Sequence, residues 1–222
     1  GHGLIVLIMP ILTRLYKPAD FGVLAVYTSL VSILCVFSSL CYESALPLPK
    51  DTRQAVHLLV LCLCIIPLIS IIIGICVWLL QDKVVKWTDT PDIRSYLWII
   101  PLGTASIGLY RIFNYWTIRK QAYNHIALTR VRQGLGQAIT QIGGGIALSG
   151  PLGLMAGYVI GQVGGIGTLV SLSWKEDQKD FRGLSREEIT KVAREYWKFP
   201  VFLLGSNLLS VSTIWLPSIL LA

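Results

Sequence analysis

The sequence predicts an all-α polytopic membrane protein, and two observations carry that assignment. Apolar residues make up 54% of the 222 positions and charged residues only 14%, against roughly 25% charged in an ordinary soluble domain. The apolar residues also come in long blocks, near the roughly 20 residues that cross a bilayer as helix. Hydrocarbon offers backbone N–H and C=O groups no water, so such blocks adopt the helix that satisfies those groups internally.

Seven blocks follow in order: Gly3–Leu12, Gly22–Leu40, Val56–Leu80, Tyr96–Thr117, Gly134–Leu148, Leu152–Trp174 and Phe199–Ala222. The first opens without an initiator Met or a charged flank, and the last is apolar to its final residue. The chain therefore reads as a fragment of a longer protein. The fifth block is short for a crossing unless it begins near Ile126, which would bring Arg130 and Arg132 close to the interface.

The formal charge of +7 lies in the segments between blocks. It reads as a topology signal and not as a nucleic-acid-binding face. Loops two, four and six hold thirteen Lys and Arg residues, whereas loops one, three and five hold five. Basic residues are retained on the cytoplasmic side of short loops, so the even loops and the missing N-terminus are expected there. Trp78, Trp98, Trp116, Trp174 and Trp197 sit near block ends, where an indole buries its ring and keeps its N–H among headgroups. Cys35, Cys41, Cys62, Cys64 and Cys76 fall in or beside the blocks and form no ligand cluster with His2, His57 or His125; they read as lipid-facing or packed thiols.

Loop six, Lys175–Lys198, is the only long one, and its second half carries a helix-start pattern. Ser185 is placed to cap, Glu188 to reach back three residues later, and Leu184 and Ile189 to form the flanking staple. Ile189, Val192, Ala193 and Tyr196 then recur at helical spacing opposite charged residues. The pattern fits an amphipathic helix on the cytoplasmic membrane surface, or a solvated linker helix without membrane contact.

Within the blocks, Gly153, Gly157 and Gly161 repeat every four residues and form a stripe without Cβ atoms, which lets a neighbouring helix approach closely. Gly143, Gly144 and Gly145 supply small residues on the preceding helix, so the fifth and sixth helices are expected to pair tightly. Gln133, Gln137 and Gln141, also four apart, give the fifth helix an amide face. That face suits a polar cavity, and it equally suits hydrogen bonding between helices.

Arg111 is the most buried-looking charge, with Asn114 and Tyr115 one turn further on. An arginine lining a cavity suits an anionic group such as a phosphate, gripped through its planar fork. Snorkelling toward the headgroups is the alternative. Glu43, beside Tyr42 at the end of the second block, is placed to pair with a cavity cation or to face the interface. Enzyme signatures are absent: there is no G-x-S-x-G, P-loop, G-x-G-x-x-G or H-E-x-x-H. Neither catalysis nor a cofactor is expected.

The run Leu12-Thr13-Arg14-Leu15-Tyr16-Lys17-Pro18-Ala19-Asp20-Phe21-Gly22, followed by Tyr42-Glu43-Ser44-Ala45-Leu46-Pro47-Leu48-Pro49-Lys50, resembles the N-terminal part of polysaccharide export proteins. These are the O-antigen-type oligosaccharide flippases of the multidrug/oligosaccharidyl-lipid/polysaccharide exporter superfamily. Arg130–Gln133, Gly150-Pro151-Leu152-Gly153-Leu154, Gly157 and Gly161-Gln162 are similar to that family's middle region. The resemblance covers most of the chain.

It implies two six-helix lobes around a central cavity, with a cytoplasmic linker after the sixth helix. Residues 1–174 would then be the first lobe, 175–198 the linker and 199–222 the first span of the second lobe. The implied activity is flipping of lipid-linked oligosaccharides, polyprenyl-diphosphate sugars, across the bacterial inner membrane. Membrane lipids and the polysaccharide assembly machinery are the implied partners. The expected substrate contacts are Arg111 and Arg130 for the diphosphate and Asn114, Gln137 and Gln141 for sugar, with Glu43 beside them. The rivals are a small-molecule exporter on the same fold, a membrane enzyme of envelope polysaccharide assembly and a non-transporting scaffold.

Overall fold

The computed structural model describes residues 2–88, 90–147, 150–177 and 185–220. Its helices are α1 (His2–Leu15), α2 (Pro18–Leu34), α3 (Thr52–Leu79), α4 (Gln81–Thr88), α5 (Ile99–Arg119), α6 (Tyr123–Ala147), α7 (Leu152–Asp177), α8 (Arg186–Glu195) and α9 (Lys198–Leu220). No strand occurs among the described residues, and the protein is all-α.

Among the described residues, two helices are long and apolar enough to cross a bilayer on composition alone: Pro18–Phe37, which extends α2, and α3. Only 39% and 33% of their apolar windows are buried, so most of that surface faces outward. Leu68, Ile71, Ile72 and Ile75 of α3, Ile139 and Ile146 of α6 and Phe202 and Leu209 of α9 are likewise exposed. Apolar surface on this scale is stable against lipid and not against water.

The helix starts follow from local chemistry. Pro18 opens α2, where its missing N–H is no loss, and the Asp20 carboxylate accepts the Lys17 backbone N–H at 2.9 Å, one of the donors a helix leaves free at its start. Asp51 does the same for α3, accepting from the Arg53 N–H at 3.1 Å. The Lys-Pro-Ala-Asp run and the Pro-Lys-Asp run are therefore helix-start signals.

The second helix ends sooner than the sequence suggests. α2 stops at Leu34, a 3-10 turn covers Cys35–Phe37, and a second covers Tyr42–Ala45. Between them Leu40 and Cys41 have φ of 52° and 61°, a left-handed conformation no helix continues. Apolarity up to Leu40 reports burial here: Ser38, Ser39 and Cys41 are buried in the turn. Gly108 of α5 makes room for it, since a Cβ there would lie 2.9 Å from Ser38 Oγ.

The fifth apolar block also differs from expectation. α6 begins at Tyr123, before both Gly134 and Ile126, because its first half is amphipathic. Thr129 and Gln133 are buried, whereas Arg130 and Arg132 are exposed. Loop three contains α4 and a 3-10 turn over Pro91–Tyr96, tied by an Arg94–Asp82 ion pair at 3.1 Å.

α6 and α7 form the closest helix pair. Gly144 and Gly153 meet backbone to backbone, and Gly157 and Gly161 lie over Gln141 and Gln137, as the glycine stripe predicts. α1 closes the end of this pair through Tyr16, whose hydroxyl donates to the Gln141 carbonyl at 2.6 Å. The even loops gather at one end: Arg119 donates to the Leu46 carbonyl at 3.5 Å and to that of Pro49, and α8 packs on the start of α3. At the other end Tyr16 of loop one meets Gly144 and Gly145, and Tyr96 of loop three lies against Gly150 of loop five.

The start of α8 corrects two expectations. Ser185 makes no side-chain cap bond, and Glu188 does not reach back; its carboxylate instead bridges Arg53 at 3.1 Å and His57 at 2.9 Å. Leu184 lies outside the described residues. Part of the apolar side of α8 packs on the bundle: Val192 is 4% exposed within the core formed by Tyr42, Leu46, Leu59 and Trp116. A tertiary partner takes the carboxylate from the local cap because Arg53 of α3 offers it a charged donor.

Candidate polar site in the helix bundle

Arg111 sits just past the middle of α5, and Glu43 in the 3-10 turn after the left-handed corner. Guanidinium Nη2 and carboxylate Oε1 are 3.1 Å apart. The Glu43 side chain is fully buried, and that of Arg111 keeps 28% of its surface exposed. Ser39, itself buried, donates its hydroxyl to the other carboxylate oxygen, Oε2. Arg111 is thus held by a buried partner.

The pair is charge-matched but poorly aligned. Glu43 Oε1 lies near Arg111 yet receives no directed hydrogen bond. A guanidinium carries five N–H donors in a rigid fork that fits carboxylate or phosphate two at a time. With Glu43 engaging one nitrogen by charge alone, the fork keeps donors for another anion. Asn114, one turn along α5, has a buried Oδ1 without a hydrogen-bond partner, an acceptor suited to a hydroxyl.

Two further elements reach this cluster. Asn207 of α9 donates its amide N–H to Cys41 Sγ at 3.4 Å, and Cys35 and Cys41 both lie in the field of Arg111 and Glu43. Tyr158 of α7 is hydrogen-bonded to Ser32 and Gln162 and stacks edge-on against Tyr27, ring centroids 6.0 Å apart. Elements distant in sequence therefore converge on one polar core.

The family model for polysaccharide biosynthesis proteins matches residues 11–222. The chain belongs to the polysaccharide biosynthesis protein family. No curated protein and no solved structure matches it.

The remaining candidate residues of this polysaccharide biosynthesis protein lie elsewhere. Arg130 stacks on the ring of Tyr110, 5.2 Å from its centroid, joining α6 to α5 away from Glu43. Gln141 donates to the Leu154 carbonyl at 3.2 Å, and Gln137 packs where α7 has Gly161. Both side chains face the α6–α7 seam, where Gln141 hydrogen-bonds across it and Gln137 packs against it. Cavities of about 440 Å³ along α8, 300 Å³ between α3 and α8 and 340 Å³ beside Trp78 and Trp98 are lined by other residues than Arg111.

Sequence reasoning missed Ser39, Asn207 and Tyr158. Asn207 had a visible signal, an amide inside the last apolar block. Ser39 had none, because only the left-handed corner turns it onto Glu43.

Proposed function

We propose that the intact protein flips a lipid-linked oligosaccharide, a polyprenyl-diphosphate sugar, from the cytoplasmic to the outer leaflet of the bacterial inner membrane. Membership of the polysaccharide biosynthesis family supports a role in polysaccharide production and export. The single observation carrying the finer reading is the Arg111–Glu43 pair inside the bundle.

A charge at the centre of a membrane helix costs roughly 2.5–3.5 kcal/mol on insertion scales, so an apolar residue at 111 would be favoured unless the cation has work to do. Flipping supplies that work. The lipid tail stays in hydrocarbon while the diphosphate must cross it, and a fixed cation replaces the water that the phosphates leave. Arg111 is the diphosphate contact in this reading, and Asn114 binds sugar hydroxyls. Arg130, Gln137 and Gln141 hold the helices that present them. α1–α7 make the first lobe, α8 lies on the connection, and α9 opens the second lobe, with the even loops cytoplasmic.

The test is complementation of a flippase-deficient strain by Arg111→Ala, Arg111→Lys and Arg111→Gln, normalised to membrane abundance. Loss with Ala and Gln and partial rescue with Lys is expected, because an ammonium keeps the charge and lacks the fork. Full activity of Arg111→Ala removes the residue from the transport path.

A further inference from the structure

The proposed site leaves one buried titratable group unused. His57, on the first turns of α3, is 1% exposed and lies under α8. Its two ring nitrogens face different chemistry. Nδ1 lies 2.7 Å from the Arg53 carbonyl oxygen, a pure acceptor, so Nδ1 carries a hydrogen.

Nε2 faces two groups with opposite demands. Glu188 Oε2, which can only accept, lies at 2.9 Å, and the Ser185 backbone N–H, which can only donate, at 3.4 Å. A neutral ring protonated at Nδ1 shows Nε2 as a lone pair, which suits Ser185 and repels the carboxylate. The imidazolium donates to Glu188 and gives up Ser185. The shorter distance is to Glu188, and a charge-assisted bond is about twice as strong as a neutral one.

We propose that His57 is a proton-binding site shared by α3 and α8, and that the bound proton fastens α8 to the helix bundle through Glu188. The surrounding charges agree. Asp51, Glu188 and Glu195 line the cleft against Arg53 and Lys191, three carboxylates against two cations, and a charged His57 completes the balance. Arg53 shares Glu188 at 3.1 Å, and Gln54 occupies Glu195 at 2.7 Å. From the other elements packed here, Arg119 is turned to the carbonyls of loop two, and Glu43 to Arg111. Neither faces the imidazole.

The sign follows directly. A proton that adds a bond to α8 makes docking tighter at low pH and looser as the proton leaves. If the two-lobe reading above holds, the proton sets how firmly the connection between lobes is held; the inference takes only that meaning from it, and its test needs no transport.

Hydrogen exchange of the α8 amides in the full chain in lipid nanodiscs, corrected for intrinsic exchange, measures docking. Between about pH 8 and about pH 5.5, the interval in which histidines change charge, protection of α8 should rise about tenfold, the scale of one partly exposed charge-assisted bond. In His57→Gln and Glu188→Gln the rise should vanish while the amides of α6 and α7 keep their protection. Should His57→Gln loosen α6 and α7, Glu188→Gln, at a side chain 42% exposed, decides. Equal wild-type protection at both pH values, or a rise that persists in Glu188→Gln, overturns the proposal. An inactive flipping assay with an intact pH response would sink the transport reading alone.

Discussion

Arg111 and Glu43 stand 68 residues apart in sequence and 3.1 Å apart in space, the carboxylate fully buried and the guanidinium partly open. Two consecutive left-handed residues, Leu40 and Cys41, make the meeting happen. They end the run of α2 and fold the next turn beneath α5. In the proposed transport reading, this partly open guanidinium is the diphosphate contact.

Removing one partner of such a pair leaves a buried charge alone, which costs about 3–5 kcal/mol in protein interiors. Arg111→Met, which strands the fully buried Glu43 carboxylate, should therefore lower the melting temperature of the detergent-extracted protein by roughly 6–20 °C. Adding Glu43→Gln should recover most of that loss. No recovery in the double variant would show that the two side chains do not stabilise each other.

The glycines of the α6–α7 seam should separate into two classes. A Cβ at Gly144 would lie 2.5 Å from the Gly153 Cα, and one at Gly157 would strike Gln141 Cγ, whereas Gly143 and Gly164 open into free space. Gly144→Ala and Gly157→Ala should reduce the folded fraction on size-exclusion chromatography. Gly143→Ala and Gly164→Ala should be neutral or slightly stabilising, since alanine is the better helix former by about 0.8–1 kcal/mol. Equal behaviour of all four would mean that the seam is not close-packed.

Tyr16→Phe deletes the hydroxyl that donates to the Gln141 carbonyl and leaves the ring in place. A loss of about 0.5–1.5 kcal/mol is expected, read as a modest drop in melting temperature. An unchanged melting temperature would show that this hydrogen bond adds nothing net to stability.

Orientation can be checked by labelling single cysteines at Lys120 and Thr90 in intact cells with a membrane-impermeant maleimide. From the excess of basic residues in the even loops, Lys120 is expected inside and Thr90 outside. Labelling of Lys120→Cys with Thr90→Cys protected would invert the topology.

Some of this architecture was readable before any coordinate. Apolar blocks marked the helices because hydrocarbon forces backbone groups to pair locally, and the four-residue glycine spacing marked the α6–α7 seam because that spacing returns to one helix face. The amide stripe of Gln133, Gln137 and Gln141 was equally plain, but its direction was not. A helical face is periodic in sequence, and what lies opposite it is set by another helix.

Ser185 and Glu188 show the same limit at a helix end. Their spacing specifies a capping box, yet Arg53 and His57 of α3 take the carboxylate, and nothing within ten residues of Glu188 announces them. The sequence by itself determined an all-α membrane fold, its helix order, the closest helix pair and the two charged residues of the polar site, all consequences of short-range periodicity and of the solvent each side chain requires. Only the tertiary structure decided that Glu43 is the partner of Arg111, that Ser39 and Asn207 join them and that α8 docks on α3. Those contacts depend on the left-handed corner at Leu40 and Cys41 and on groups 68 residues apart in one case and more than a hundred in others, which local pattern does not encode.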